Sequence, residues 1–251
     1  MALQEEFEKQ GNMLFIYRSY FPLIILLVGM ILFIQKELNP EMFILSNTPY
    51  EIPYEIGALI IGLIGLAVRI YTVGHTPKNT SGRNTKEGQV ADTLNTTGIY
   101  SVVRHPLYLG NFLMWLSPAM LTGNFWFIIV FCLIYWVYYE RIMFAEEQFL
   151  RGKFGENYLK WSENVSAFIP RLKNFQKANM PFSWKKVVKK EKNGLFALFL
   201  IFTVFDIIGE RIHNTDNYNY FLIAMCILTG IGYVILKYLK MKTQLLDEPN
   251  R

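Results

Sequence analysis

Six apolar blocks, separated by polar segments, constrain the fold more than any other feature of the sequence. They cover approximately residues 20–34, 56–73, 107–121, 125–144, 195–208 and 220–239. Such blocks are typical of membrane-spanning helices, because a span requires about 20 mainly apolar residues. Only residues 122–124 separate the third block from the fourth, which predicts a tight antiparallel helical hairpin. The sequence therefore predicts an all-α, polytopic membrane protein with about six transmembrane segments.

The basic residues are distributed unevenly between the segments that join these blocks. If the N-terminus lies inside, six spans place Lys36 and Arg211 outside and the rest of the 25 lysines and arginines inside. Cytoplasmic loops of membrane proteins carry such an excess. Topology therefore explains the formal net charge of +5, and no nucleic-acid partner is predicted. Two cysteines and three scattered histidines favour neither a disulfide framework nor a metal site.

The remaining segments are predicted from turn chemistry and periodicity. Residues 1–19 are interpreted as an amphipathic or disordered lead-in before a first block that is retained as an anchor, and residues 35–55 as a loop. Helical periodicity continues into residues 145–162, and a basic linker is predicted over residues 173–193. Close approach between helices is predicted at the small residues of the second block, which are Gly57, Gly62 and Gly65.

One polar stretch, residues 98–110, lies at the start of the third block. It places Arg104-His105-Pro106 between Tyr100 and Tyr108, at a helix start where unpaired backbone N–H groups can hold an anion such as a cofactor carboxylate. The alternative is purely structural. In that interpretation the arginine snorkels, the proline initiates the helix and the histidine binds a loop carbonyl.

A second polar feature, Glu146-Glu147, follows the fourth block. Acidic side chains near a helix C-terminus oppose the helix dipole, which favours a nearby cation as their partner: Arg141, Arg104, or a bound sulfonium or amine. The alternative is a solvated helix end paired with lysines. Because the predicted topology brings both polar features to the cytoplasmic face, they are interpreted as two halves of one cofactor pocket.

The order of short motifs along the chain resembles the isoprenylcysteine carboxyl methyltransferase family and its phospholipid N-methyltransferase-like relatives. The resemblance covers about residues 92–172. It is carried by Thr97-Gly98-Ile99-Tyr100, Arg104-His105-Pro106-Leu107-Tyr108-Leu109-Gly110, Glu146-Glu147, Phe154-Gly155-Glu156-Asn157-Tyr158 and Phe168-Ile169-Pro170.

This resemblance implies an integral membrane methyltransferase that uses S-adenosylmethionine without a soluble Rossmann-type domain. The cofactor-binding residues that it implies are Tyr100, His105, Pro106, Leu107, Tyr108 and Glu146, with Asp92, Thr93, Leu94 and Asn95 lining the same pocket. The residues implied to face the reacting end of the substrate are Arg104, Arg141 and Glu147. The implied substrate is a membrane lipid or prenylated molecule with a carboxylate, phosphate or amine acceptor, and the oligomeric state is left open.

The chain is predicted to divide into N-terminal spans with a polar loop (1–91), a methyltransferase-like core (92–172) and a C-terminal linker with two further spans (173–251). Two other functions stay open: a sterol-reductase-like NADPH enzyme, and a non-catalytic scaffold whose basic linker binds anionic lipids. A phosphate acceptor is favoured by four basic residues predicted near the pocket, which are Lys78, Arg83, Lys86 and Arg104.

Overall fold

The chain folds into a bundle of α-helices. The computed structural model describes residues 2–43, 45–46, 48–80 and 89–249. Within these residues the helices are α1 (Leu3–Tyr17), α2 (Phe21–Leu38), α3 (Glu51–Gly74), α4 (Pro106–Leu121), α5 (Phe125–Phe154), α6 (Glu156–Ser162), α7 (Trp184–Ile212) and α8 (Tyr220–Lys242). Three short 3₁₀ turns cover Pro40–Met42, Ile99–Ser101 and Leu172–Asn174. The predicted all-α class is confirmed.

Four helices, α2, α3, α5 and α8, are long and apolar enough to cross a membrane, so the protein is polytopic. The predicted hairpin is confirmed, since α4 and α5 are joined by three residues and pack against each other. At 16 residues, α4 is only about 24 Å long, which is less than the ~30 Å hydrocarbon core. The count of six spans therefore stays a prediction.

The N-terminal lead-in is an ordered amphipathic helix, which confirms one of the two interpretations of residues 1–19. Helix α1 packs along α5, and its Phe7, Gly11 and Phe15 recur every four residues on the contact face. Phe15 is buried, and a Cβ on Gly11 would lie only 2.1 Å from the carbonyl oxygen of Arg141. The small residue therefore allows α1 to lie directly against α5.

The loop predicted over residues 35–55 is shorter in the structure, because helices extend into it from both sides. Helix α2 continues to Leu38 and α3 begins at Glu51. Pro53 is compatible with the first turn of α3, where backbone N–H groups have no intrahelical partner. The Lys36 ammonium is buried and lies 2.7 Å from the Glu51 carboxylate, so an ion pair joins the two helix ends.

The prediction of a basic linker up to residue 193 is wrong from Trp184 onward, where α7 begins. The Ser183 hydroxyl caps this helix by accepting from the Lys186 amide at 3.1 Å. The Lys186 ammonium in turn donates to the carbonyls of Thr76 and Pro77. Sequence periodicity missed this start because the first two turns of α7 are lysine-rich.

Glycines bring α3 and α4, the most extensively packed helix pair, into close contact. A Cβ on Gly65 would lie 2.6 Å from the Gly110 carbonyl oxygen, and a Cβ on Gly110 would lie 2.8 Å from that of Gly65. A Cβ on Gly62 would lie 2.7 Å from the Ser117 hydroxyl. The predicted close approach is confirmed at Gly62 and Gly65. It is wrong at Gly57, where a Cβ would meet nothing within 4 Å in the described chain.

We expect Gly65→Ala to destabilise the protein by about 1–3 kcal/mol, because the added methyl overlaps backbone atoms of α4 that have little room to move. Gly57→Ala is the matched control in the same helix. It should be neutral or stabilising by up to about 1 kcal/mol, since alanine favours the helix and the space is open. Thermal unfolding of both variants in the same detergent measures the difference. Equal melting temperatures would contradict the assigned packing.

The two ends of the bundle are chemically distinct. At one end, the His213 imidazole at the end of α7 lies 2.9 Å from the Glu37 carboxylate of α2. Tyr54 at the start of α3 donates to the Met120 carbonyl of α4 at 3.0 Å. Lys36 lies at this end too, and the polar loop that contains Arg104 lies at the other.

Candidate active site

The loop before α4 is held by main-chain hydrogen bonds to the segment that follows α6. The Gly98 amide donates to the Gln176 carbonyl at 2.9 Å, and the Arg104 amide donates to the Ser166 carbonyl at 2.9 Å. Gly98 has a φ of +62°, a conformation that glycine adopts without strain. These contacts fix where His105 enters α4 as its N-cap residue.

The adjacent acids Glu146 and Glu147 on α5 have different partners. Neighbouring residues on a helix point about 100° apart, so the two carboxylates face different surroundings. Glu147 accepts two hydrogen bonds from the Arg104 guanidinium, at 2.9 and 3.2 Å, and lies 2.9 Å from the His105 Nε2. Glu146 accepts a hydrogen bond from the Tyr108 hydroxyl at 2.8 Å. Glu146 thus faces a cavity, whereas Glu147 anchors the loop.

Arg104 is a structural junction in addition to being a lining residue of the cavity. Besides its paired contact with Glu147, its Nη1 donates to the carbonyls of Ser162 and Val165 at 2.8 and 2.9 Å. The guanidinium thereby joins α5 to the end of α6 and the segment after it. Its geometry is that of a positioning residue, since four hydrogen bonds to protein atoms already engage it.

A layer of tyrosines supports the Glu146 side of the site. The Tyr135 hydroxyl donates to the Tyr108 carbonyl at 2.9 Å, and the rings of Tyr135 and Tyr139 stack with centroids 4.1 Å apart. The ring of Tyr139 also lies 4.9 Å from that of Tyr108. Because Tyr135 and Tyr139 are almost fully buried, Tyr108 is fixed in position by packing.

These residues surround a cavity of about 630 Å³, within the usual range for small-molecule sites. Cationic side chains, Arg18 and Arg69, and an acidic one, Glu146, share its wall. The wall also includes Phe15, Asn79, Thr80, Gln89, Tyr100, Arg104, His105, Pro106, Leu107, Tyr108, Asn111, Trp115 and Tyr139. The wall thus offers aromatic faces together with both signs of charge, as a zwitterionic ligand with an aromatic base would require.

The family resemblance implies that Tyr100, residues 105–108 and Glu146 contact the cofactor. All six of these residues line this cavity. The structure places the Asp92–Asn95 segment differently. Thr93, Leu94 and Asn95 line a neighbouring cavity of about 310 Å³ that shares Tyr100 with the first, and Asp92 lines neither. The chain approaches the main cavity just before this segment, through Val90 and Ala91.

Arg141 lies apart from the other predicted site residues. Its Nη1 donates to the Glu140 carboxylate at 2.8 Å, and its guanidinium carbon lies 3.5 Å from the centre of the Phe7 ring. It therefore faces α1 and does not line the cavity. The buried neighbour on its C-terminal side, Ile142, belongs to the apolar core.

Of the basic residues predicted near the site, Arg104 lines the cavity and Lys78 does not, although its neighbours Asn79 and Thr80 do. Arg83 and Lys86 lie outside the described residues.

Sequence reasoning missed Arg18, Arg69 and Asn111, all of which line the cavity. Arg69 had a signal, because it is a single charge inside the second apolar block, and an ionisable residue inside a span is a functional candidate by default. Arg18 and Asn111 are ordinary polar residues next to or within apolar segments. Only the fold brings them to the cavity.

The two carboxylates control the protonation of His105. Burial lowers the pKa of its imidazole, but the hydrogen bonds and negative charges of Glu146 and Glu147 outweigh burial and raise the pKa above the ordinary value of 6.5. A raised folded-state pKa stabilises the protein fully below the unfolded value, and that stability is lost as the pH rises through the folded value. The folded protein therefore favours the protonated form of His105 more than the unfolded chain does, and the imidazole bridges the loop and the acidic pair.

We expect the melting temperature of the wild-type protein to fall as the pH rises above about 6.5. His105→Gln, which retains a hydrogen-bond donor but has no titrating group, should lose this dependence over the same interval. Thermal unfolding at several pH values in one detergent measures it. Parallel pH profiles for the two proteins would contradict the assignment.

A family model matches the part of the chain that contributes most of the residues lining this cavity. The family model for phospholipid methyltransferase matches residues 57–157. Protein-S-isoprenylcysteine O-methyltransferase of Schizosaccharomyces pombe is 39% identical over 79 residues, which are 32% of this chain and 34% of that protein. Methanethiol S-methyltransferase of Pseudomonas deceptionensis is 36% identical over 86 residues, 34% of this chain and 31% of that protein.

A third relative is the cobalt-zinc-cadmium resistance protein CzcN of Cupriavidus metallidurans, which is 32% identical over 119 residues, 47% of this chain and 52% of that protein. The chain spans between about a third and about half of the length of the curated relatives described. No solved structure matches. Over residues 57–157 the chain is similar to the phospholipid methyltransferase family, and over shorter stretches it is similar to the isoprenylcysteine O-methyltransferases, in agreement with the resemblance of its motifs.

Proposed function

We propose that the protein is an S-adenosylmethionine-dependent methyltransferase that acts on the polar head of a lipid or prenyl-lipid. The observation that carries the proposal is the cavity in which Glu146, hydrogen-bonded to Tyr108, faces arginines across aromatic walls. Support also comes from two of the relatives, whose names describe methyl transfer to an isoprenylcysteine oxygen and to the sulfur of methanethiol.

The cavity residues fit the chemistry of the methyl donor. S-adenosylmethionine combines an ammonium, a carboxylate, a sulfonium and a stacking base, and the wall offers a carboxylate, guanidinium groups and aromatic rings. Glu146 would attract the cationic part, while the N-terminus of α4 at Pro106 would hold a carboxylate. Burial and the Glu146 charge raise the pKa of Tyr100, so its phenol stays protonated as a hydrogen-bond donor.

When bound, the donor would supply an electrophilic methyl group to an acceptor oxygen, and its sulfur would keep the electron pair of the broken C–S bond. The residues of the chain then have to position the reactants and exclude water. Tyr108, fixed by Tyr135 and Tyr139, orients Glu146 for this purpose. The Arg104–Glu147 pair fixes the loop from which His105 enters the cavity wall.

The acceptor that fits best is already an anion. A carboxylate or phosphate attacks without losing a proton, whereas a protonated amine requires a base. Glu147 is engaged by Arg104 and His105, and Glu146 would be paired with the cationic part of the donor, so an acceptor that needs no base fits these residues best.

We further propose that the site faces the cytoplasm. The end of the bundle that contains Lys36 lies opposite the Arg104 loop, and the predicted outer face contains few basic residues. The charge distribution thus supports the inner face as the location of the donor.

The test is to incubate the protein in lipid nanodiscs with methyl-labelled S-adenosylmethionine, a phospholipid extract and an S-farnesylated N-acetylcysteine. We expect label in a base-labile ester or other lipid product, and none with the Glu146→Ala, His105→Ala double variant. If no acceptor takes up label while calorimetry detects NADPH binding, the protein is a reductase. If it binds neither cofactor but anionic vesicles instead, it is a scaffold.

A further inference from the structure

A further charged contact borders the cavity about one helical turn along α4 from the Tyr108–Glu146 contact. The Arg69 guanidinium of α3 donates to both carboxylate oxygens of Glu191 on α7, at 2.8 and 2.9 Å. Its Nη1 also donates to the Asn111 side-chain oxygen of α4 at 2.5 Å. Three helices thus hold one guanidinium in a fixed orientation.

The geometry leaves part of this guanidinium for a ligand. Arginine has five N–H donors, and three of those of Arg69 are used by Glu191 and Asn111. Within the described ranges, residues 48–80 and 89–249 included, no other side chain or carbonyl accepts from it. The Arg69 side chain is 22% exposed and lines the cavity, whereas Glu191 is 4% exposed and does not. The carboxylate is thus enclosed behind an arginine that faces open space.

If the Arg69–Glu191 ion pair served only to stabilise the fold, its position at a cavity would be unexplained. Removing two charges from water is costly, and an apolar pair often stabilises a fold as well as a buried ion pair does. Glu191 neutralises and orients Arg69, and the remaining N–H groups can then donate to a second, external anion. This arrangement is that of a binding group with its own positioning residue.

The cavity wall becomes less polar along α4. Tyr108, Asn111 and Trp115 line the cavity at spacings of three and four residues, so they share one face of the helix. From the loop end inward, this face presents the Glu146 contact, then the Arg69 contact, then an indole. An amphiphile that enters from the membrane would place its apolar chain at Trp115 and its polar head at Arg69, next to the level of the donor.

We propose that Arg69 binds the anionic head of the acceptor and that Glu191 of α7 positions it, so the acceptor class is an amphiphilic carboxylate or phosphate. This inference rests on the proposed function and deepens it by naming the acceptor-binding group. It also gives α7, which lies beyond the family-matched residues 57–157, a role in positioning the group that binds the substrate.

The test measures binding in the absence of the methyl donor. An S-farnesylated N-acetylcysteine and its neutral methyl ester, both tritiated, are equilibrated with the protein in nanodiscs, and binding to empty nanodiscs is subtracted. Wild-type protein should bind the carboxylate about tenfold more tightly than the ester or better, as expected for charge-assisted hydrogen bonds. Arg69→Gln should abolish this preference, and Arg69→Lys should retain a part of it because the charge remains.

Folding is controlled by the double variant Arg69→Gln, Glu191→Gln, which removes both charges together and leaves no unpaired buried carboxylate. It should unfold at a temperature close to that of the wild-type protein and still bind the two probes equally. Glu191→Gln alone should weaken the preference without abolishing it, since Arg69 keeps its charge. The exposed residue Lys173 provides a matched control, because Lys173→Gln removes one positive charge away from the cavity and should leave the preference intact.

Equal binding of the two probes by the wild-type protein, or a preference that persists in the double variant, would overturn the assignment. The two proposals fail separately. A carboxylate preference that depends on Arg69 without any methyl transfer would refute only the proposed function. Methyl transfer with no dependence of the acceptor KM on Arg69 would refute only the acceptor site.

Discussion

Glu146→Gln is expected to weaken binding of S-adenosylmethionine by about 10- to 100-fold, since a hydrogen bond to a charged group contributes about 1.5–3 kcal/mol. The substitution keeps the size of the side chain but removes the only acidic charge among the residues named on the cavity wall. Tyr108→Phe should have a smaller effect, because its ring remains packed against Tyr139 and only the hydroxyl is lost. Isothermal titration of the purified variants with the donor measures both effects.

The control for this experiment is Glu163→Gln, an exposed acid at the end of α6 that does not line the cavity. It should bind the donor as the wild-type protein does. The melting temperature of Glu146→Gln should remain close to that of the wild-type protein. Only two groups lose a charged partner: the Tyr108 hydroxyl, and the His105 Nδ1, which lies 3.6 Å from the Glu146 carboxylate. Unchanged donor affinity in Glu146→Gln would exclude this carboxylate from the cofactor site.

Glu147→Gln is expected to act on stability, although its carboxylate is the immediate neighbour of Glu146. It leaves the Arg104 guanidinium without its anionic partner and removes the carboxylate that lies nearest to the His105 imidazole. The cost should be about 2–3 kcal/mol, between the ~3–5 kcal/mol for a broken buried pair and the ~1 kcal/mol or less for an exposed one. The intermediate value follows from the partial exposure of the pair, 18% for Arg104 and 23% for Glu147.

Two measurements separate this structural role from the substrate contact that the family resemblance implies for Glu147. Thermal unfolding should show a lower melting temperature for Glu147→Gln, while the acceptor KM of the surviving folded protein changes little. Arg104→Lys should reproduce the loss, because an ammonium lacks the two parallel donors that bind both carboxylate oxygens. A raised KM at an unchanged melting temperature would instead place Glu147 at the substrate.

The sequence predicted the helical membrane fold, and it grouped residues that the structure places on one cavity wall, for identifiable physical reasons. Apolar blocks and a three-residue connection specify helices and the α4–α5 hairpin without any tertiary information. The residues from Tyr100 to Tyr108 lie next to each other in the chain, so a motif locates them together. Glu146 joins them because the short connection forces α5 to return along α4.

The features that the sequence did not predict depend on rotation about a helix axis and on contacts between distant segments. Glu146 and Glu147 have separate surroundings because adjacent residues of α5 point in directions about 100° apart. For the same reason, Arg141 points towards Phe7 of α1, whereas a residue one position away points elsewhere. Glu191 was assigned to a linker because lysines surround it, although α7 buries its side chain. The predicted division of the chain at residues 91 and 172 stays a prediction. The cavity wall includes Arg18 and Arg69, which belong to the predicted N-terminal segment 1–91.

The main-chain bonds between the Arg104 loop and residues 166–176 have a consequence for biosynthesis. The loop is synthesised before its partners, so in a growing chain Gly98 and Arg104 lack the carbonyls of Gln176 and Ser166 until α6 and the following segment have emerged. Glu191 emerges later still. A nascent chain that ends before α7 would therefore have an incomplete cavity, and ligand binding should begin only after α7 has packed against α3.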